Sequence, residues 1–349
     1  MKSKKHFKYY GEMNMKALAN EKVVYILGAG FSAQFGLPVM SNFLEKSKDM
    51  YTLRRSKFFK GNDIEFFGSV YDEIDKLRRC KDFYTSDMTN IEEILSLFEM
   101  GKMLGKDSKQ QINFQNFIAE VIKYHTPTIN RTIRDDNNFK SLCSFILHLF
   151  GRNDSEDYNA DMTSPEYSIL TFNYDSLLED TLENCRTMEQ GVYSYLKFAT
   201  PDKQQNRDKV PYIKLHGDIA KPETIVTPTW KKAFEDSKAS TWIKAGSLLE
   251  EANHIRIIGY SLPITDSYLK YFLKWGAAQA QHLKSIDVIC IDDEQHSVES
   301  RYRDFIHHKL NFYNNSTGDY LAEVRDGIED AHQNLFYNPQ RSRTTFSFK

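Results

Sequence analysis

The chain has 349 residues, 40% of them hydrophobic, with 46 Lys and Arg against 48 Asp and Glu and a formal charge of −2. At about 150 residues per domain this is one large domain or two modest ones, and the apolar share suffices for a core. The near-neutral balance argues against a protein whose main task is to coat nucleic acid, and the 24 Phe and 20 Tyr argue against disorder.

Cys80, Cys143, Cys185 and Cys290 stand far apart in the sequence. No pair has the close spacing of a zinc site or a redox motif, and scattered thiols suit a reducing, cytoplasmic setting. No apolar run approaches the ~18 residues of a membrane span. The basic start, Met1 to Tyr10, is not followed by the apolar stretch of a secretory signal. The histidines lack ligand spacing: His307 and His308 are adjacent and cannot share a helix face. No metal site is expected.

Residues 1–21 read as a polar N-terminal arm. Val23 to Leu27 is a short β-branched and aromatic run stopped by Gly28, the pattern of a buried parallel strand. A long helical stretch follows, from about 43 to 164. In it Ile91, Ile94, Leu95 and Phe98 keep helical spacing behind a capping Asn90, and 114–124 and 142–150 are two further apolar helices. About 120 residues between two strands exceeds what a crossover needs, so this stretch reads as a helical insertion. Residues 152–163 read as a polar loop. Further strands are expected at 167–172, 212–215, 255–259 and 286–291. The fold class is therefore α/β, a Rossmann-like parallel sheet with an inserted helical subdomain. The domain is expected over 22–311, with a polar C-terminal extension over 312–349 whose end, 338–349, reads as disordered or partner-dependent.

Gly28-Ala29-Gly30-Phe31-Ser32 follows the first strand and opens a helix. Glycines there let the chain turn sharply and let a phosphate approach backbone N–H groups. A tight turn with no ligand is the bland alternative. The third glycine position of a dinucleotide fingerprint holds Ala33, and no acidic residue closes a second strand about 20 residues on, which disfavours an ordinary hydride-transfer domain. Ligands of open α/β sheets bind beyond the carboxyl ends of the strands. Those ends carry Asn173-Tyr174-Asp175, His216-Gly217-Asp218, Gly259-Tyr260-Ser261-Leu262 and Asp292-Asp293. Each has a structural alternative. Asn173, Asp175 and the Asp292-Asp293 pair could cap helices, His216 could be an ordinary hydrogen-bonded histidine, and Gly259 to Leu262 could be only a turn.

In their order, Gly28 to Ser32 with Gly36-Leu37-Pro38, Thr171 to Asp175, Leu215-His216-Gly217 and Gly259 to Leu262 resemble the sirtuin (silent information regulator) superfamily. More narrowly they resemble its bacterial NAD-cleaving members in anti-phage defence, and Ile91 to Leu95 is similar to that branch too. The resemblance implies that NAD is the substrate and that Gly28, Ala29, Gly30, Phe31 and Ser32 cradle its pyrophosphate. It implies that Asn173 and Asp175 hold the nicotinamide-side ribose and the attacking water or the amide, and that His216 is the base. Thr171, Gly217, Gly259, Ser261 and Leu262 would line the cofactor, with Asp292 near the adenine edge.

The family's deacylases carry a zinc module of cysteine pairs after the catalytic histidine, and here no cysteine stands between His216 and Gly259. They also follow the Gly-Leu-Pro-like turn with an acidic–aromatic–arginine run, where this chain has Val39 to Phe43. The expectation is an NAD glycohydrolase that releases nicotinamide and ADP-ribose without a metal. It would be a triggered effector, homo-oligomeric, with a defence partner such as an ATPase and with no membrane or nucleic-acid requirement. NAD-dependent protein deacylation, or a non-catalytic NAD- or ADP-ribose-binding module, is the alternative.

Overall fold

The computed structural model describes residues 12–14, 21–53, 62–78, 90–105, 109–129, 131–150, 165–187, 193–199, 208–225, 236–263, 266–337 and 347–348. The expected loop at 152–163, Cys80, and nearly all of 338–349 lie outside the described residues.

Seven strands form one wholly parallel sheet: β1 (Lys22–Leu27), β2 (Glu166–Thr171), β3 (Lys197–Ala199), β4 (Lys209–Lys214), β5 (His254–Ile258), β6 (Ser285–Cys290) and β7 (Leu310–Asn314). Their spatial order is β3-β4-β2-β1-β5-β6-β7. The chain fills one side of β1 and then crosses to the other, so β1, flanked by β2 and β5, marks the topological switch point where α/β folds place ligands. β1 and β5 are buried on both faces; β1 is apolar from Val23 to Leu27, while β5 carries the buried polar side chains of His254 and Arg256 among its isoleucines.

Between β1 and β2 run α1 (Ala29–Ala33), α2 (Phe43–Leu53), α3 (Asn62–Arg78), α4 (Ile91–Met103), α5 (Lys109–His125), α6 (Arg131–Asp135) and α7 (Asn137–Leu149). The Asn90 side chain caps α4 by accepting from the N–H groups of Glu92 and Glu93. Ile91, Ile94, Leu95 and Phe98 are buried, as their spacing requires. Phe114 and Phe117 of α5 and Phe145 of α7 pack in one continuous core with Val23, Tyr25 and Leu27 of β1. The helical stretch is thus the layer over one sheet face and shares its core. The other face carries α9 (Asp236–Glu250) and α10 (Ser267–Gln279), which follow α8 (Leu177–Thr187) in the chain. No described helix is long and apolar enough to cross a membrane.

Three features depart from expectation. β7 spans residues 310–314, across the boundary placed at 311, and is followed by the short step into α12 (Thr317–Tyr337), after α11 (Ser297–Arg303). Tyr320 and Leu321 of α12 are buried, and the Tyr320 hydroxyl meets that of Tyr25 at 3.2 Å, so the extension completes the domain. β7 alternates polar and apolar residues at a sheet edge, which hides it from a search for apolar runs. Second, Glu21 is no part of a polar arm. It is 7% exposed and bonds His254 Nε2 at 2.7 Å, while His254 Nδ1 lies 2.8 Å from Ser285 Oγ, locking β1, β5 and β6 at their start. Third, the termini contribute a ribbon in which Glu12–Asn14 pairs antiparallel with Ser347–Phe348, in a stretch expected to be disordered.

Candidate functional site at the carboxyl ends of the central strands

The turns after β1 and β5 touch through their backbones. Gly28 N–H donates to Ile258 O at 3.0 Å and Gly30 N–H to Gly259 O at 2.8 Å. A Cβ on Gly28 would fall 2.6 Å from Tyr260 Cβ, and one on Gly30 would fall 2.8 Å from Gly259 O. Gly259 has φ +63°, and a Cβ there would reach 2.1 Å from Phe31 N. The glycines serve this close approach directly. It also narrows the expected phosphate cradle, because the N–H groups of Gly28, Gly30 and Phe31 already bond Ile258, Gly259 and Gly28 carbonyls. The Phe31 side chain is core, 6.1 Å from the Phe145 ring, and only Ala29 of the five residues is exposed.

The end of β2 closes on the same turn. Asn173 Nδ2 donates to Gly28 O at 2.9 Å and to Ser32 Oγ at 3.1 Å, while Asn173 N–H is held by Thr171 Oγ1 at 3.0 Å. Asp175 accepts from Leu177 N–H at 3.0 Å, capping α8, and its carboxylate also bonds Ser32. Burial pushes the Asp175 carboxyl above its usual range. Lys214 at the end of β4 donates to Asp175 O at 2.7 Å and pairs with Glu179 and Asp218. Asn173, Asp175 and the Gly28 turn are therefore one bonded unit, with Ser32 as its hinge.

His216 comes next, at the end of β4. It is 3% exposed, and its ring lies 4.9 Å from Phe172 and 6.2 Å from Tyr174. Nε2 is buried and meets no hydrogen-bond partner among the described residues. Burial lowers its pKa to about 3, so the imidazole is neutral and offers a lone pair. An orphaned buried polar nitrogen costs about 1–3 kcal/mol, a cost that a ligand partner would remove. Gly217, at φ +100°, lets the next residues fold back, since a Cβ there would reach 2.3 Å from Thr224 O. Gln115 of α5 donates to Ile225 O at 2.6 Å, tying the helical layer to this loop.

The remaining sequence candidates divide. Gly259 belongs to the joint just described. Ser261 offers its carbonyl to Arg301 Nε at 3.1 Å, and Leu262, 3% exposed, holds φ +49°, a conformation that costs a non-glycine residue about 1 kcal/mol or more. Asp292 accepts from Val298 and Glu299 N–H with its two oxygens, capping α11, and among the described residues it makes no hydrogen bond to Asn173 or His216. Asp293 caps the same helix from Ser297. Asp292, His296 and Glu299 lie close enough to share a cation, but they sit on this cap at the surface.

Sequence reasoning missed Glu92 of α4 and Asp266 ahead of α10. Both act electrostatically on Tyr174 and Tyr260 at the site. Asp266 is 2% exposed and accepts from the Tyr260 hydroxyl and from Leu269 N–H. Burial and Asp266 together raise the Glu92 carboxyl to about 8.

Residues 167–310 match the family model described as a SIR2-like domain. That span holds Asn173, His216 and Gly259 and leaves out the Gly28 turn and the helical layer. No curated protein matches the chain. Among solved structures, a Sir2 in complex with the inhibitor EX-527, 2′-O-acetyl-ADP-ribose and deacetylated p53 peptide aligns at 11% identity and TM-score 0.37, covering 91% of this chain and 96% of that one. Sir2Tm bound to a propionylated peptide aligns at 12% identity and TM-score 0.38, with the same coverages.

Proposed function

We propose that the chain binds NAD across the joined turns after β1, β2, β4 and β5 and cleaves its nicotinamide–ribose bond. The observation that carries this is the juxtaposition of a buried neutral imidazole, His216, whose Nε2 lacks a partner among the described residues, with the Asn173–Asp175–Ser32 unit at the switch point of the sheet. Breaking a glycosidic bond builds positive charge on the ribose, as in glycoside hydrolysis, and needs an oriented acceptor and a group to take a proton. The His216 lone pair would receive a ribose hydroxyl, and later the proton that hydroxyl sheds. Asn173 would turn from Gly28 O to fix water or the nicotinamide amide without adding charge. The exposed Ala29 edge of the glycine turn would take the pyrophosphate.

Water as acceptor gives nicotinamide and ADP-ribose. In the phage-defence setting that the resemblance implies, a triggered chain would act by depleting NAD. A second outcome, transfer of an acyl group from a peptide lysine to the ribose, is favoured by the SIR2-like match itself. The test is nicotinamide release from NAD by the purified chain, with and without an acetylated peptide, alongside His216→Ala. Free ADP-ribose as the main product supports hydrolysis. O-acetyl-ADP-ribose formed only with peptide replaces it by deacylation. Failure to bind NAD at millimolar concentration rejects both.

A further inference from the structure

Lys214 ends β4 and pairs in register with Thr171, which ends β2. His216 and Asn173 each stand two residues beyond that rung, on neighbouring segments that have left the ladder. Those segments need other ties. Leu215 N–H donates to Thr171 O at 2.8 Å, and Ile219 N–H donates to Tyr174 O at 3.1 Å. The Lys214 side chain supplies the rest. Its Nζ donates to Asp175 O at 2.7 Å and to Asp218 Oδ2 at 3.1 Å, and it meets Glu179 Oε1 at 2.7 Å. An ammonium has three protons, and these three acceptors use them all. They lie on the turn after β2, on the turn after β4 and on α8.

Only 8% of this side chain is exposed. A buried ion pair adds little to stability over well-packed apolar residues, so stability alone does not call for a lysine here. Burial works to lower its pKa, and Glu179 and Asp218 outweigh burial, so the group stays charged. The contact with Asp175 O does nothing for charge balance, but it reaches the site. The Asp175 carboxylate bonds Ser32, whose Oγ accepts from Asn173. On the other side, Asp218 accepts from Ala220 N–H at 2.8 Å and gives its own N–H to Thr224 Oγ1 at 3.0 Å, closing the loop that follows His216. Resting on the NAD reading, we propose that Lys214 is a positioning residue that sets the spacing between Asn173 and His216 without touching the substrate. Its protons are all committed, so it has none to offer a ligand. Reacting groups displaced by about 1 Å lose about a hundredfold in rate. The tie therefore acts on bond cleavage and leaves the pyrophosphate end of the site, at Ala29, as it was.

The test compares the full chain with Lys214→Met, which fills similar space without charge or donors. Nicotinamide release from NAD and binding of ADP-ribose are measured at a temperature where circular dichroism shows both chains folded. The variant's kcat should fall at least about tenfold while its Kd for ADP-ribose stays within about threefold. A folded variant with wild-type kcat overturns the inference and leaves NAD cleavage standing. So does one whose ADP-ribose affinity falls as far as its rate, because the residue would then hold the whole pocket. Should Lys214→Met fail to fold, Asp218→Asn decides, since it weakens the tie on the His216 side alone. A kcat at least about threefold down with ADP-ribose binding kept supports the inference, and an unchanged kcat overturns it. In a wild type that binds NAD without cleaving it, the nitrogen NMR signals of the His216 ring are read instead. NAD should shift them in the wild type and not in a Lys214→Met chain that still binds, and a shift in both or in neither overturns the inference. A wild type that binds neither NAD nor ADP-ribose overturns the NAD reading itself.

Discussion

Gly30 donates its backbone N–H to the carbonyl of Gly259 at 2.8 Å, which makes the turns after the first and fifth strands a single joint. Gly259→Ala would drive a Cβ to 2.1 Å from Phe31 N at φ +63°, against backbone that cannot step aside. A loss of more than about 2 kcal/mol is expected, as for a rigid clash added to left-handed strain. Gly36→Ala is the control. Its φ of +91° is equally unsuited to a side chain, but nothing lies within 4 Å, so the cost should stay near 1 kcal/mol. Urea unfolding of the two variants measures the difference.

Asn173 holds the glycine turn through both protons of its side-chain amide. Asn173→Ala removes the bonds to Gly28 O and Ser32 Oγ, and about 1–3 kcal/mol of stability should go with them. Asn173→Asp should cost more, because a carboxylate would face the Gly28 carbonyl with no proton to offer. Thermal denaturation ranks the pair, and nicotinamide release should be lost in both.

His216 is neutral above about pH 3. The pH profile of nicotinamide release should therefore show no inflection near 6.5 from this residue in the free enzyme. His216→Ala should abolish release without unfolding the chain. An inflection near 6.5 that vanishes in that variant would place a solvated imidazole in the reaction instead.

Glu92 has its carboxyl raised from 4.5 to about 8. Between those values the folded chain holds a proton that the unfolded chain has lost. The neutral group's contribution to stability is thus present below pH 4.5 and drains away as pH rises through 8. Glu92→Gln removes the drain, so its stability relative to wild type should grow with pH, by up to about 1.4 kcal/mol per unit over that window. Denaturant titrations at pH 5, 6 and 7.5 read the slope, and a flat difference would show Glu92 to be solvated.

A chain cut after residue 311 would lose most of β7 together with the buried Tyr320 and Leu321 of α12. It is expected to be insoluble or rapidly proteolysed, whereas the uncut chain resists under the same protease. A stable, folded fragment would show that the extension lies outside the domain.

The five strands expected from sequence and the polar residues at their ends were legible because each carries a short apolar stretch that gives way to glycine or polar residues. Asn173, Asp175 and His216 come together for that reason. The three-residue β3 and the alternating edge strand β7 lack such a run. The influence of Asp266 on Glu92 was not legible, because it depends on how the helical layer lies over the sheet. Asp292 shows the opposite limit: a carboxylate at a strand end looks the same in sequence whether it meets a ligand or caps α11.

The joint also sets an order of events during synthesis. Asn173 lies 145 residues beyond Gly28, and Gly259 is further along still. A ribosome that has delivered β1, the helical layer and β2 has produced the Gly28 turn with no Gly259 against it, no Asp266 behind Tyr260 and no fifth strand beside the first. The site cannot exist on a nascent chain until some three-quarters of the sequence has emerged. A newly made molecule acquires its chemistry in one late step.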